Sequence, residues 1–222
     1  MSKPDLAFDH LVVTCHKLSA GMDYVRRVFG VDIPPGGQHH FMGTHNALMA
    51  VGDGIYVEVI AIDPSLMVPA YPRWFGLGNP VFEDRMKEGP ILTHYVLRTS
   101  DMAATLDGLD AATRKALGPV HEASRDALSW KITINEAGLP AEGGCLPALI
   151  EWDCPPPQYK MVRPGPEFER IHLCHPEPEA ILRDLIAMGG QRLIDDGMID
   201  VQHTDNKGLK ADFTHRGKNV WI

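Results

Sequence analysis

The chain has 222 residues, 44% of them hydrophobic and 23% charged, with a formal net charge of -8. That balance belongs to a folded globular protein, and an acidic excess without a dense Lys/Arg stripe argues against a phosphate-tracking surface, so no nucleic-acid partner is expected. No run is long enough to span a bilayer, and Met1-Ser2-Lys3-Pro4-Asp5-Leu6 lacks the apolar core of a secretion signal, which predicts a cytoplasmic protein with no membrane partner.

In chain order, β-branched content over residues 7–14 predicts a strand carrying His10. Leu18 to Phe29 reads as an amphipathic helix with Met22, Val25, Val28 and Phe29 on one stripe, Ser19 as a cap near its start and Gly30 at its end. The Pro34-Pro35-Gly36-Gly37 cluster breaks the chain. Gly43 to Val51 then reads as a strand with His45, Gly52-Asp53-Gly54 as a tight turn, and Ile55 to Ala61 as the second arm of that hairpin, with Glu58 in its middle. Residues 63–90 hold prolines, glycines, Tyr71, Trp74, Phe75 and Phe82 without clear periodicity, the mark of a long connection that packs its own side chains.

From Pro90 the pattern restarts, with a strand carrying His94, a helix from about Met102 to Leu117, a strand over residues 127–134 and a last strand with Glu151. A weaker third echo begins at Phe168, where Arg170 takes the histidine's place, and continues through a helix from about Glu177 to Met188. It closes on edge-strand segments around Ile199 to Val201 and Leu209 to Phe213. No glutamate sits in an apolar strand there, so this tail reads as a structural copy without ligands.

Glu58 and Glu151 carry the chemical argument. A carboxylate inside an apolar strand costs several kcal/mol unless a cation, donors or a metal compensates it. The order histidine strand, then glutamate strand, occurs twice, so His10 and His94 are the expected partners, and two half-sites meeting in a cleft would form a metal centre. The bland alternatives are a glutamate paired to Arg98 or Lys131 and a strand histidine bonded to a backbone carbonyl. His39 and His40 follow a glycine pair and fit either a loop ligand or a solvated loop, the solvated loop being the expected reading. Trp74, Trp130 and Trp152 fit either a pocket wall or core filling. The four cysteines, Cys15, Cys145, Cys154 and Cys174, form no C-x-x-C pair and read as small hydrophobes.

Phe8-Asp9-His10-Leu11-Val12-Val13, Gly43-Thr44-His45-Asn46-Ala47-Leu48, Tyr56-Val57-Glu58-Val59-Ile60-Ala61 and Leu149-Ile150-Glu151-Trp152 together resemble the vicinal oxygen chelate superfamily, in its glyoxalase-like branch. The resemblance covers residues 7 to 155 well and the remainder poorly. It implies an α+β fold of paired βαβββ modules forming a cupped mixed or antiparallel sheet with helices outside, here with a C-terminal partial third module. The corresponding division is 1–62 and 91–155 for the two modules, 63–90 for the connecting loop and 156–222 for the extension.

The resemblance also implies a divalent metal in the cleft, its ligands matched by His10, Glu58, His94 and Glu151. Zinc, nickel, manganese and iron all suit such nitrogen and oxygen donors. Glu151 or Glu58 would serve as catalytic base, with His45 as a second candidate or a substitute ligand. The implied function is a metal-dependent lyase or isomerase acting on a small molecule with vicinal oxygens. Two other readings stand beside it: an iron(II) extradiol dioxygenase using two histidines and one carboxylate, and a metal-free small-molecule binding or resistance protein. Cupped modules pair across an open edge, so a homodimer is one expected assembly.

Overall fold

The computed structural model describes residues 4–163 and 165–222; residues 1–3, over which part of the secretion-signal expectation runs, lie outside them. The first unit is β1 (Ala7–Thr14), α1 (Leu18–Phe29), β2 (Pro35–His39), β3 (Thr44–Gly52) and β4 (Ile55–Ile62). α1 buries Leu18, Gly21, Val25 and Phe29, and Gly30, at φ 66°, closes it by returning its amide to the Arg26 carbonyl. The proline and glycine cluster, expected only to break the chain, forms most of β2. A strand at the rim of a sheet tolerates proline because its outer row of N–H groups needs no partner.

The connection after β4 holds α2 (Pro80–Glu88), which the sequence pattern does not reveal. Asn79 accepts a hydrogen bond from the Val81 amide and Pro80 opens the helix, yet only Met86 is buried, so no apolar stripe announces it. The second unit comprises β5 (Ile91–Arg98), α3 (Met102–Leu106), α4 (Ala111–Leu117), β6 (Val120–Arg125), β7 (Leu128–Thr133) and β8 (Ala148–Trp152). The single helix expected over residues 102–117 is therefore two. Asp101 and Asp110 each cap a new start, accepting from the amides of Ala104 and Thr113, and Gly108 turns the chain between them at φ 73°. The third unit is β9 (Glu167–His175), α5 (Pro178–Met188), α6 (Gln191–Asp195), β10 (Ile199–His203), β11 (Gly208–His215) and β12 (Lys218–Trp221).

The first two units share one eight-stranded mixed sheet in the order β2-β3-β4-β1-β5-β8-β7-β6, and the third forms a four-stranded sheet, β10-β9-β11-β12. β1 and β5 run antiparallel at the centre, and each is parallel to the last strand of its own unit, β4 and β8 respectively. Strand alternation divides the side chains. Leu11, Val13, Val57, Val59, Tyr95 and Leu97 pack on one face with α1 and the third unit, where Phe29 meets Phe213 at 5.1 Å between ring centroids. Val12, Ile60, Val96, Ile132 and Ile150 occupy the concave face together with Trp74 and Phe75 from the connection. The sheet curls until its two rims meet, with Arg125 at the end of β6 reaching His39 at the end of β2. Among the described residues no helix is long and apolar enough to cross a membrane.

Candidate active site

The concave face holds a cleft enclosing about 420 Å³ of space, part of it open to solvent, and its polar lining is His10, His39, Asn46, Glu58 and Arg125. Its first polar feature comes from an irregularity in β1. Pairing with β5 slips between Phe8, opposite Leu97, and His10, opposite Val96, so Asp9 is the extra residue of a bulge. A bulge re-aims side chains that strict alternation would separate, and here it sets Asp9 beside His10.

Asp9 is fully buried and serves as a hub. Its Oδ1 lies 2.7 Å from His10 Nδ1, while its Oδ2 accepts from Arg98 Nη1 at 3.0 Å, Trp152 Nε1 at 3.1 Å and Gln158 Nε2 at 3.0 Å. Burial acts to raise its pKa, but the bond and charge of His10 and the charge of Arg98 outweigh it and hold the carboxyl below its ordinary value. An ionised Asp9 fixes the proton of His10 on Nδ1, which leaves Nε2 facing the cleft. Tyr56 stacks on the His10 imidazole at 4.5 Å between centroids and hydrogen-bonds to Asp9. Burial first, then Asp9 and Glu58, keep that phenol protonated by pushing its pKa far up.

Glu58 lies across from His10 because Tyr56 and Val12 set the β1–β4 register, with His10 opposite Tyr56 and Val12 opposite Glu58. Its Oε2 stands 3.7 Å from His10 Nε2, too long for a hydrogen bond. Its Oε1 accepts from Asn46 Nδ2 at 2.6 Å. The other end of that amide, Oδ1, accepts from the Gly37 amide at 2.9 Å and from Arg125 Nη1 at 3.4 Å. One carboxamide thus stands between the carboxylate and the guanidinium. Arg125 also approaches His39 Nε2 at 3.2 Å, so that nitrogen accepts and His39 Nδ1 carries the proton toward Thr44 Oγ1, 3.1 Å away. Burial, reinforced by Arg125, lowers the His39 pKa to about 3 and keeps the ring neutral.

Of the expected site residues, His10 and Glu58 meet in the cleft, whereas His94, Glu151 and His45 do not join them. His94 lines a second cleft of about 290 Å³, part of it open to solvent, with Phe75, Thr133 and Ala148. Burial lowers its pKa to about 3 against the pull of a hydrogen bond to the Gly144 backbone, and its Nδ1 has no partner. Glu151 points to the opposite face of β8 from its neighbours Ile150 and Trp152, which line the cleft. It pairs with Lys131 Nζ at 2.6 Å and accepts from the Met102 amide. That is the lysine pairing weighed above, and it removes Glu151 as a candidate base for the cleft. His45 likewise faces away, with Nδ1 3.3 Å from Asp63. Hydrogen bonds from Ser65, set against burial, and from Gln38 hold the Asp63 carboxyl down at about 2.

The implied divalent metal therefore lacks its donor set. Catalytic metal centres of this kind take three protein donors, and among the described residues no group of three His, Cys, Asp or Glu side chains is placed to hold an ion. Of the cleft's three His and Glu side chains, His39 turns its Nε2 to Arg125, leaving only His10 Nε2 and Glu58 Oε2 facing each other, and these residues do not fit a resident divalent cation. The facial triad of a dioxygenase fails on the same geometry. Asp9, Asn46 and Arg125 carried no warning in the sequence, and His39, weighed as a loop ligand but expected in a solvated loop, is buried in the wall. The cysteines are all free, and burial pushes the thiols of Cys15 and Cys145 up to about 12 and about 11, far from a nucleophilic thiolate.

Comparison with known proteins gives a family and a fold. A family model described as a glyoxalase-like domain matches residues 8–188. No curated protein matches the chain. A hypothetical protein from Staphylococcus aureus superposes with a TM-score of 0.56 at 16% identity, over 97% of this chain and 84% of that one. Methylmalonyl-CoA epimerase from Mycobacterium tuberculosis gives 0.41 at 15% identity, over 69% of this chain and 91% of its own. The Streptomyces coelicolor methylmalonyl-CoA epimerase in complex with 2-nitronate-propionyl-CoA gives 0.40 at 18%, over 69% and 100%.

Proposed function

Since the chain belongs to the glyoxalase-like domain family of the vicinal oxygen chelate superfamily, we propose that it is a lyase or isomerase that moves a proton on a small molecule with neighbouring oxygens, with Glu58 and His10 as the proton-handling pair. The observation that carries this reading is the 3.7 Å gap between Glu58 Oε2 and His10 Nε2. Each atom's companion is already engaged, Oε1 by Asn46 and Nδ1 by Asp9, so the two facing atoms are the ones free for a substrate. One substrate atom seated to the side of the line that joins them can lie about 3 Å from both, within the reach that proton transfer requires.

Glu58 Oε2 takes a proton from a carbon beside a carbonyl, the C–H pair moves into the carbon–carbon bond, and the carbonyl pair moves onto oxygen. Arg125, one amide away from Glu58, supplies positive charge toward that developing oxyanion. The proton then returns, from Glu58 or after passing to His10 Nε2, either to the opposite face of the same carbon or to the adjacent carbon while the hydroxyl proton of the first carbon passes to the neighbouring enediolate oxygen, so the net change is an isomerisation. Both groups are almost wholly buried, at 6% and 4% exposure, so few waters compete for the proton. A panel of α-hydroxyketones and 2-oxo acids, neutral and anionic, incubated in deuterium oxide and followed by proton NMR tests this. Loss of a C–H signal with wild-type protein and its persistence with E58Q is the expected result. No exchange across the panel with folded wild-type protein defeats the proposal.

One observation favours a second reading, a metal-free binding protein: Glu151 is neutralised by Lys131 rather than turned to the cleft. On that reading panel members bind without exchanging a proton.

A further inference from the structure

Arg125 is partly buried at the rim of the cleft, and among the described residues it makes no ion pair. Its acceptors are neutral, the His39 imidazole nitrogen at 3.2 Å and the Asn46 amide oxygen at 3.4 Å, both at the long end for a guanidinium. Its position is secured by an omission. A Cβ on Gly37 would stand 2.6 Å from the guanidinium carbon and two of its nitrogens, so glycine leaves the space this group fills. A guanidinium presents five N–H donors in a fork that matches a carboxylate, and charge-assisted pairs of that kind are roughly twice as strong as neutral ones.

Another residue of the cleft lining holds a donor without a partner. The Nε1 of Trp74, a residue 4% exposed, has no hydrogen-bond partner. A buried indole N–H without a partner is uncommon, because losing its hydration costs about 1–3 kcal/mol. Trp74 packs edge-on against His39 at 5.0 Å between centroids, and His39 is the ring that Arg125 touches. The remaining wall is apolar, with Trp130 and Trp152 5.4 Å apart between centroids and tilted 47° to each other, and Ile132 and Ile150 alongside.

We propose that the cleft selects small aromatic carboxylic acids, whose carboxylate is held by the Arg125 guanidinium while the ring packs against the indoles of Trp130 and Trp152. This deepens the reading of the same cleft given above, and Arg125 is then a specificity residue that places an acid's neighbouring carbon toward Glu58. Asn46 completes the arrangement. By standing between Glu58 and Arg125 it keeps the protein's own carboxylate from occupying the seat meant for the ligand's.

The test uses benzoate and its neutral isostere benzamide as probes, titrated into the full-length protein by calorimetry. Wild-type protein should bind benzoate at least about tenfold more tightly than benzamide, and R125M should abolish that preference while changing benzamide binding less than about twofold. E58Q, which keeps the guanidinium, should retain the preference, so a failure of the proton-transfer reading and a failure of this one give different results. Equal binding of the two probes, binding of neither below about 10 mM, or a preference that survives in R125M overturns the proposal. Should R125M not fold, the ratio of the two probes on wild-type protein decides alone.

Discussion

Asp9 Oδ1 sits 2.7 Å from His10 Nδ1, and the two residues share one side of β1 only because the strand bulges between Phe8 and His10. The buried carboxylate chooses which imidazole nitrogen carries the proton, and through Arg98, Trp152 and Gln158 it ties β1 to β5, β8 and the segment after β8. Asp9→Asn keeps the size and loses the charge. Groups that orient a reactive histidine in this way are worth about 10–100-fold in activity, so D9N should slow C–H exchange by that factor. Leaving Arg98 and His10 without their anion should also lower the unfolding free energy by on the order of 3 kcal/mol. Urea unfolding and the exchange assay read the two effects separately. A D9N protein as active as wild type would remove Asp9 from the mechanism.

Acid should destabilise the fold through its buried histidines. Burial lowers the pKa values of His39 and His94 to about 3 from an ordinary 6.5. Between those two values the unfolded chain binds protons that the folded chain refuses, so stability falls as the pH drops from 6.5 toward 3 and is at its plateau above 6.5. Asp9 adds to this at the acid end. Its depressed pKa contributes stability above the ordinary value of 3.8 that is lost as the pH falls through the folded-state value. Urea midpoints should decline steadily from pH 7 to pH 4, with each histidine accounting for a few kcal/mol at most. His94→Leu removes one of them and should flatten the decline while costing about 1 kcal/mol or less at pH 7. A flat profile in the wild-type protein would show that neither ring is held neutral.

His10 and Glu58 were legible in the sequence because each lies in a long apolar strand whose register the first hairpin defines. Glu151 was not, because an apolar run gives no register. Val12 pairs with Glu58 in the first half and Val96, its counterpart beside His94, pairs with Ala148 in the second. The position matching Glu58 is thus an alanine, and Glu151, an odd number of residues further along, faces the other way. The same parity separates His45 from the cleft and gives the place to Asn46. Arg125 and His39 are 86 residues apart at opposite rims of the sheet, and only its curvature brings them together. No local pattern of residue types encodes that curvature. The fold class needed only the repeated order of strands and helices, which is why it was readable where half the site was not.

The two glutamates should consequently behave as opposites. Glu58→Gln keeps the hydrogen-bonding shape but removes the acceptor of the proton, and loss of a positioned base costs about 10²–10⁴-fold in rate. Glu151→Gln severs a partly exposed pair with Lys131 on the far side of β8, and the exchange rate should stay within about twofold of wild type, since the effect of an exposed pair is small and local. Prolonged treatment with a strong chelator should leave both the exchange rate and the melting temperature unchanged, because with His39 turned to Arg125 only His10 and Glu58 are free where a catalytic metal takes three donors. Proton NMR exchange rates for the two variants and the chelated wild type can be collected side by side. If E151Q were as inactive as E58Q, or if chelation abolished exchange and added zinc, manganese or iron restored it, the cleft would have to rearrange to gather the donors that this structure keeps apart.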